Sequence, residues 1–69
     1  MEYNLDPVEI GRKLRQFRGD VPRSVVARKI GVAYSSLEFW ERGVRVPPDF
    51  AKIKLAKFYG RSVEEIFFT

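Results

Sequence analysis

Residues 23–43 read RSVVARKIGVAYSSLEFWERG, and the fold turns on how this stretch divides. Gly31 and Gly43 each close a short run of helix-compatible residues, at the position where a chain leaves a helix through the left-handed region that glycine enters without strain. The first run sets Val25, Val26, Ala27 and Ile30 ahead of Gly31; the second spans Tyr34 to Arg42. In that second run Phe39 and Trp40 are adjacent. Successive helical side chains project about 100° apart, so the two rings cannot enter the same core. With Leu37 placed at 0°, Trp40 falls at about 300° and Glu41 at about 40°, while Glu38, Arg42, Ser35 and Phe39 occupy the arc from about 100° to 200°. Leu37 and Trp40 therefore form the buried stripe, and Phe39 points away from it.

Working outward, Asp6-Pro7 supplies an N-cap followed by proline at the first helical position, and Ile10, Leu14 and Phe17 follow at spacings of four and three, which predicts a helix from about Pro7 to Arg18 ending at Gly19. Beyond Gly43, "VRVPP" is an extended loop, because a residue before proline is pushed out of the helical region. "DFAKIKLAKFYG" is a fourth helix with Asp49 as cap or first-turn acid and Gly60 as its stop. Its expected inward side chains are Phe50, Ile53 and Ala56, with Leu55 and Tyr59 as further candidates, and Lys52, Lys54 and Lys57 make a solvated face. In "RSVEEIFFT", Ser62 and Glu65 form an S-x-x-E capping box, and Val63, Ile66 and Phe67 supply the buried side. Nothing alternates as a strand does. The expectation is an all-α bundle of five short helices forming one domain over residues 1–69, without repeats or linkers.

Composition narrows the chemistry. At 69 residues the chain is near the lower limit for an uncrosslinked core and has no space for a second lobe or an effector domain. There is no Cys and no His, which removes disulfides, thiolate nucleophiles and the commonest metal ligand and general base. An enzyme of this make-up has only scattered carboxylates to work with. No cofactor, metal or small-molecule ligand is indicated. Apolar runs are short and the N-terminus is acidic, so neither a membrane span nor an export signal is expected. All thirteen Lys and Arg lie between residues 12 and 61, with only Asp20, Glu38, Glu41 and Asp49 against them, a surplus of nine; the other five acids sit at the two ends. A basic middle between acidic termini suits a polyanion such as nucleic acid, and solvated lysine faces are the plainer alternative.

A helix ending on Gly31, a turn through Val32 and Ala33, and a next helix that buries one stripe match the helix-turn-helix arrangement. Its second helix then reads DNA in the major groove, with Tyr34, Ser35 and Ser36 at its N-terminus and Glu38 and Phe39 on its outward side. Hydroxyls donate or accept at base edges, Glu38 accepts from a cytosine amino group, and an apolar ring presses on a thymine methyl. On this reading Trp40 holds the helix to the domain and Phe39 touches DNA; packing of Phe39 on a neighbouring loop is the alternative.

From Ile10 to Phe67 the chain resembles the lambda-repressor-like DNA-binding domain of the Cro/cI or Xre family of bacterial and phage regulators. The resemblance is carried by "LRQFR", "VVARKIGVAYSSLEFWERG", Pro47, "KLAKFYG" and "SVEEIF" in the right order and at the right spacing. It implies base reading by Tyr34, Ser35 and Phe39, phosphate contact by Arg23, Arg42 and Arg45, and a salt bridge between Arg18 and Glu41 joining the first and third helices. It also implies a cytoplasmic protein of bacterial, archaeal or phage origin. The sequence departs from the pattern in three places. The turn "RGDVPR" is about two residues short, Pro22 and Arg23 replace a capping residue and a glutamine, and the reading helix lacks the Gln, Asn or Arg that make bidentate base contacts, which implies modest specificity or reliance on DNA shape.

A single module of this size buries little surface on DNA, so a homodimer on palindromic half-sites is expected, with Phe68 in a candidate dimer patch. The leading function is a sequence-specific regulator of transcription, a repressor, binding double-stranded DNA. The alternative is a protein-interaction module of the same fold, such as an antitoxin or a phage regulatory partner.

Overall fold

The computed structural model describes residues 6–68. Glu2, the rest of the first five positions and Thr69, all counted in the single domain expected over 1–69, lie outside the described residues. Five helices follow in order: α1 (Pro7–Arg18), α2 (Arg23–Ile30), α3 (Tyr34–Glu41), α4 (Asp49–Tyr59) and α5 (Val63–Phe67). Among the described residues there is no strand, and the architecture is the compact all-α five-helix bundle that the glycines and prolines indicate.

Local chemistry sets the helix ends. The Asp6 side chain accepts from the Val8 amide at 3.0 Å, and Pro7 occupies the first turn of α1, where its missing N–H is not needed. Gly31 stops α2 at φ 74°; its own N–H and that of Val32 donate to the carbonyls of Arg28 and Ala27, which closes the helix and aims the chain into the turn. At α5 the Ser62 hydroxyl accepts from the Glu65 amide and the Glu65 carboxylate accepts from the Ser62 amide, both at 3.1 Å, a complete capping box. α2 begins after Pro22, α3 after Ala33 and α4 after Pro48, none with a side-chain cap. These three helices are therefore held chiefly by tertiary packing.

α1 packs on α3 and α5, α2 on α3 and α4, and α4 on α5. Ile10 and Leu14 of α1 meet Val26, Ala27 and Ile30 of α2, Leu37 and Trp40 of α3, Ala51, Leu55 and Ala56 of α4, and Ile66 and Phe67 of α5 in one core. Each large aliphatic or aromatic side chain buried this way contributes about 1.5–3 kcal/mol. Gly11 lets α1 and α3 approach closely: a Cβ there would stand 2.5 Å from the Glu41 carbonyl oxygen. α3 is thus clamped by its own stripe and by backbone contact with α1.

α4 corrects the sequence reading. Phe50 and Ile53, expected inward, are 56% and 52% exposed; Ala56 and Leu55 are buried as expected, and Ala51 and Lys52 complete the buried face. Lys52 is not on a wet face. Its stem is buried, its ammonium lies 5.8 Å from the Phe67 ring centre and 5.3 Å from that of Phe68, and it pairs with Asp49 at 3.7 Å. A long lysine stem supplies apolar area as well as charge, so it substitutes for a core side chain at this rim.

Candidate nucleic-acid interface

The α2–turn–α3 unit presents its residues in two classes. Leu37 is fully buried and Trp40 nearly so, which fixes α3 on the domain, while Tyr34 is 47% exposed and Ser35 is exposed at the helix start. Ser36, Glu38 and Phe39 are half-buried, and Arg42 and Arg45 are exposed just past the other end. A hydroxyl-bearing N-terminus and a basic C-terminal turn therefore stand at opposite ends of one helix about 12 Å long, taking 1.5 Å per residue. That length suits insertion across a groove with flanking contacts to phosphates.

The basic turn is tied down. The amides of Val44 and Arg45 both donate to the Phe39 carbonyl, at 3.0 and 3.4 Å, and the Gly43 amide donates to that of Trp40 at 3.3 Å. The Arg45 guanidinium lies 5.6 Å from the centre of the Phe39 ring. Phe39 accordingly stands between two roles: it turns away from the core, and it also packs against the loop after α3. It forms one wall of a groove of about 380 Å³ that Ser36, Trp40, Arg45, Val46 and Phe50 also line.

Behind the surface lies a buried ionic centre. The Glu41 side chain is fully buried; its Oε2 accepts from Arg18 Nε at 2.7 Å, and its Oε1 accepts from Arg18 Nη2 at 3.0 Å and from Arg23 Nε at 2.7 Å. Arg15 donates to the Glu41 backbone carbonyl, and Arg18 Nη1 donates to the Val21 carbonyl at 2.9 Å. One carboxylate thus joins α1, α2 and α3. The hydrogen bond that Arg23 donates to Glu41 first, and the Tyr34 hydroxyl second, hold the Arg23 guanidinium above its ordinary range. A buried carboxylate is tolerated only when such donors replace its water, and here two guanidiniums do so.

Arg18 and Glu41, expected to pair, are found paired. Arg23, assigned to phosphate contact, sits at the edge of the same centre with its side chain 30% exposed. The part of Arg23 in this cluster, and that of Arg15, is not readable from the sequence, since their partner lies on another helix. Phe68 is half-buried; together with Ile53, Val63 and Lys52 it borders a shallow surface depression between α4 and α5.

Among the described residues no helix is long and apolar enough to cross a membrane, and no group of three or more acidic side chains is placed to hold a metal. A family model described as helix-turn-helix matches residues 12–66. No curated protein and no solved structure matches the chain.

Proposed function

The chain belongs to the helix-turn-helix family of Cro/cI (Xre) type, and from that premise we propose that it is a sequence-specific transcriptional repressor that reads double-stranded DNA with α3. The family is a DNA-binding and non-catalytic one. The observation that carries the finer reading is the presentation of α3. Its exposed Tyr34 and Ser35 lead, Arg42 and Arg45 flank the far end, and Leu37 and Trp40 anchor it from below. Tyr34, Ser35 and Ser36 read base edges, with Glu38 and Phe39 on the side of the helix adding a cytosine or thymine contact. Arg23, Arg42 and Arg45 hold the phosphates and supply most of the affinity. The protein acts in the cytoplasm as a homodimer, because one module buries too little surface for tight binding, and Phe68 with Ile53 and Val63 offers an apolar patch for a second copy.

Selection of duplexes from a random library with the purified protein tests this reading. A palindromic consensus is expected. Arg42→Ala lowers affinity uniformly across sequences and makes the salt slope shallower by about one unit, and Tyr34→Phe relaxes preference at one base position. Enrichment of no sequence, with only weak salt-labile binding, would favour the protein-interaction module, for which the exposed Phe50 and Ile53 are the natural contact.

A further inference from the structure

We propose that Glu41 is a positioning residue for the DNA-facing surface: its buried carboxylate holds Arg23 by Nε and thereby sets the plane in which that arginine meets a phosphate. The proposal rests on the DNA-binding reading and concerns a residue that cannot itself touch DNA, since its side chain is fully buried.

The geometry supports it in three steps. Arg18 grips both carboxylate oxygens of Glu41, through Nε at 2.7 Å and Nη2 at 3.0 Å, so the carboxylate cannot rotate about its own axis. The same Oε1 then takes Arg23 Nε at 2.7 Å. A guanidinium is planar and rigid, so an Nε held on Oε1, with the stem rooted in α2, narrows the directions open to the two terminal nitrogens. Arg23 opens α2, and the hydroxyl of Tyr34, the first residue of α3, adds to the stabilisation of its charge after Glu41. The order of control runs from Arg18 to Glu41 and then to Arg23. A residue assigned to the interface is thus oriented by one that is hidden.

Charge is not cancelled by this arrangement. One carboxylate faces the guanidiniums of Arg18 and Arg23, with that of Arg15 on its backbone carbonyl, so the cluster keeps a positive surplus for an anion. A glutamine at position 23 donates through one neutral amide; the arginine present here adds charge and can serve the carboxylate and a phosphate with different nitrogens. Immobilising the side chain in the free protein removes an ordering cost from the binding step.

Arg23→Lys separates positioning from simple attraction, because lysine keeps the charge and loses the Nε fork. If position 23 works only as a mobile charge, the variant binds a selected duplex as tightly as the parent. The expectation is about 2- to 10-fold weaker binding with the salt slope unchanged, the range given by ordering one long side chain. All titrations are run at a temperature where circular dichroism shows each variant fully folded. Where Glu41→Gln folds, it shows a comparable loss, and adding Arg23→Lys to it costs little more. Where it does not fold, the Arg23 Nε–Hε proton of the parent carries the test by NMR. It exchanges with water much more slowly than that of Arg42. Equal binding by Arg23→Lys, or an Arg23 Hε exchanging as fast as that of Arg42, overturns the proposal. Failure of the parent itself to bind any duplex removes the DNA-binding reading, whereas parental binding with an indifferent Arg23→Lys removes the positioning alone.

Discussion

Gly11→Ala probes the contact that seats α3 against α1. Glycine within a helix costs about 0.5–1 kcal/mol relative to alanine, so on propensity alone the substitution stabilises α1. The surroundings oppose it. The added Cβ would stand 2.5 Å from the Glu41 carbonyl oxygen, 2.8 Å from that of Trp40 and 2.9 Å from the Glu41 carbonyl carbon. All three atoms are backbone, and no side-chain rotation relieves them. Even a 3.0 Å contact requires the helices to part by 0.5 Å, the difference between 3.0 and 2.5 Å. Such a shift opens the core between Leu14 and Leu37 and draws Arg15 and Arg18 away from Glu41. Overpacking of this kind costs about 1–3 kcal/mol, and a backbone obstruction belongs at the upper end. After the propensity gain, about 2 kcal/mol of destabilisation remains. In a domain of this size that lowers Tm by about 8–16 °C. Thermal and urea unfolding followed by circular dichroism at 222 nm measures it. A Gly11→Ala protein that melts at or above the parental temperature would refute the close-approach reasoning, because propensity would then have outweighed the obstruction.

Other outcomes follow from the same structure. Glu41→Ala strips two half-buried guanidiniums of their shared, fully buried acceptor and is expected to lose about 3 kcal/mol in urea unfolding; a loss below about 1 kcal/mol would place the centre at the surface energetically. The Tyr59 hydroxyl is buried without a hydrogen-bond partner, and burial first, with the charge of Glu41 second, pushes it up to about 12. Because the folded state keeps this proton above the ordinary value of 10.0, its contribution is complete below pH 10 and is lost as pH rises from there toward about 12. Tyr59→Phe should therefore flatten the alkaline limb of a pH–Tm curve without loss of stability at neutral pH. Ser62→Ala removes one half of the capping box and should cost about 1 kcal/mol. Hydrogen bonds from Ser62, the backbone one first, hold the Glu65 carboxyl below its ordinary 4.5. That contribution is present above pH 4.5 and fades as pH falls through the lower folded value, so Glu65→Gln should flatten the acid limb.

What the sequence made legible is mostly what local chemistry decides. Gly31, Gly43 and Gly60 all take positive φ, at 74°, 77° and 66°, and the helix ends follow them. The split between Trp40 and Phe39 is legible because a helix three residues on from Leu37 can bury only one of two adjacent rings. α4 is where the reading failed, for a physical reason. Phe50 and Ile53 are its most conspicuous apolar side chains, yet the face that fits the core carries Ala51, small enough to sit fully buried, and Lys52, whose ammonium lies over the rings of Phe67 and Phe68. Ranking positions by hydrophobicity misplaces the first turn of α4, where the inward residues are an alanine and a lysine, while Leu55 and Ala56 further along are buried as expected. The candidate interface was legible in position and incomplete in linkage. Tyr34, Ser35, Arg42 and Arg45 stand exposed around α3, but the attachment of Arg23 to Glu41 joins residues on different helices and leaves no mark in spacing. Phe39 lies between the two expectations, off the core and against the loop that carries Arg45.

The most direct test of the central claim is amide chemical-shift mapping of the ¹⁵N-labelled protein titrated with a selected duplex. The expected result is perturbation concentrated at Arg23, at Tyr34 to Ser36 and from Arg42 to Arg45, with α5 and the exposed face of α4 around Phe50 and Ile53 changing far less. Perturbation centred on α4 and α5, with α3 silent, would contradict the assignment of α3 as the reading helix.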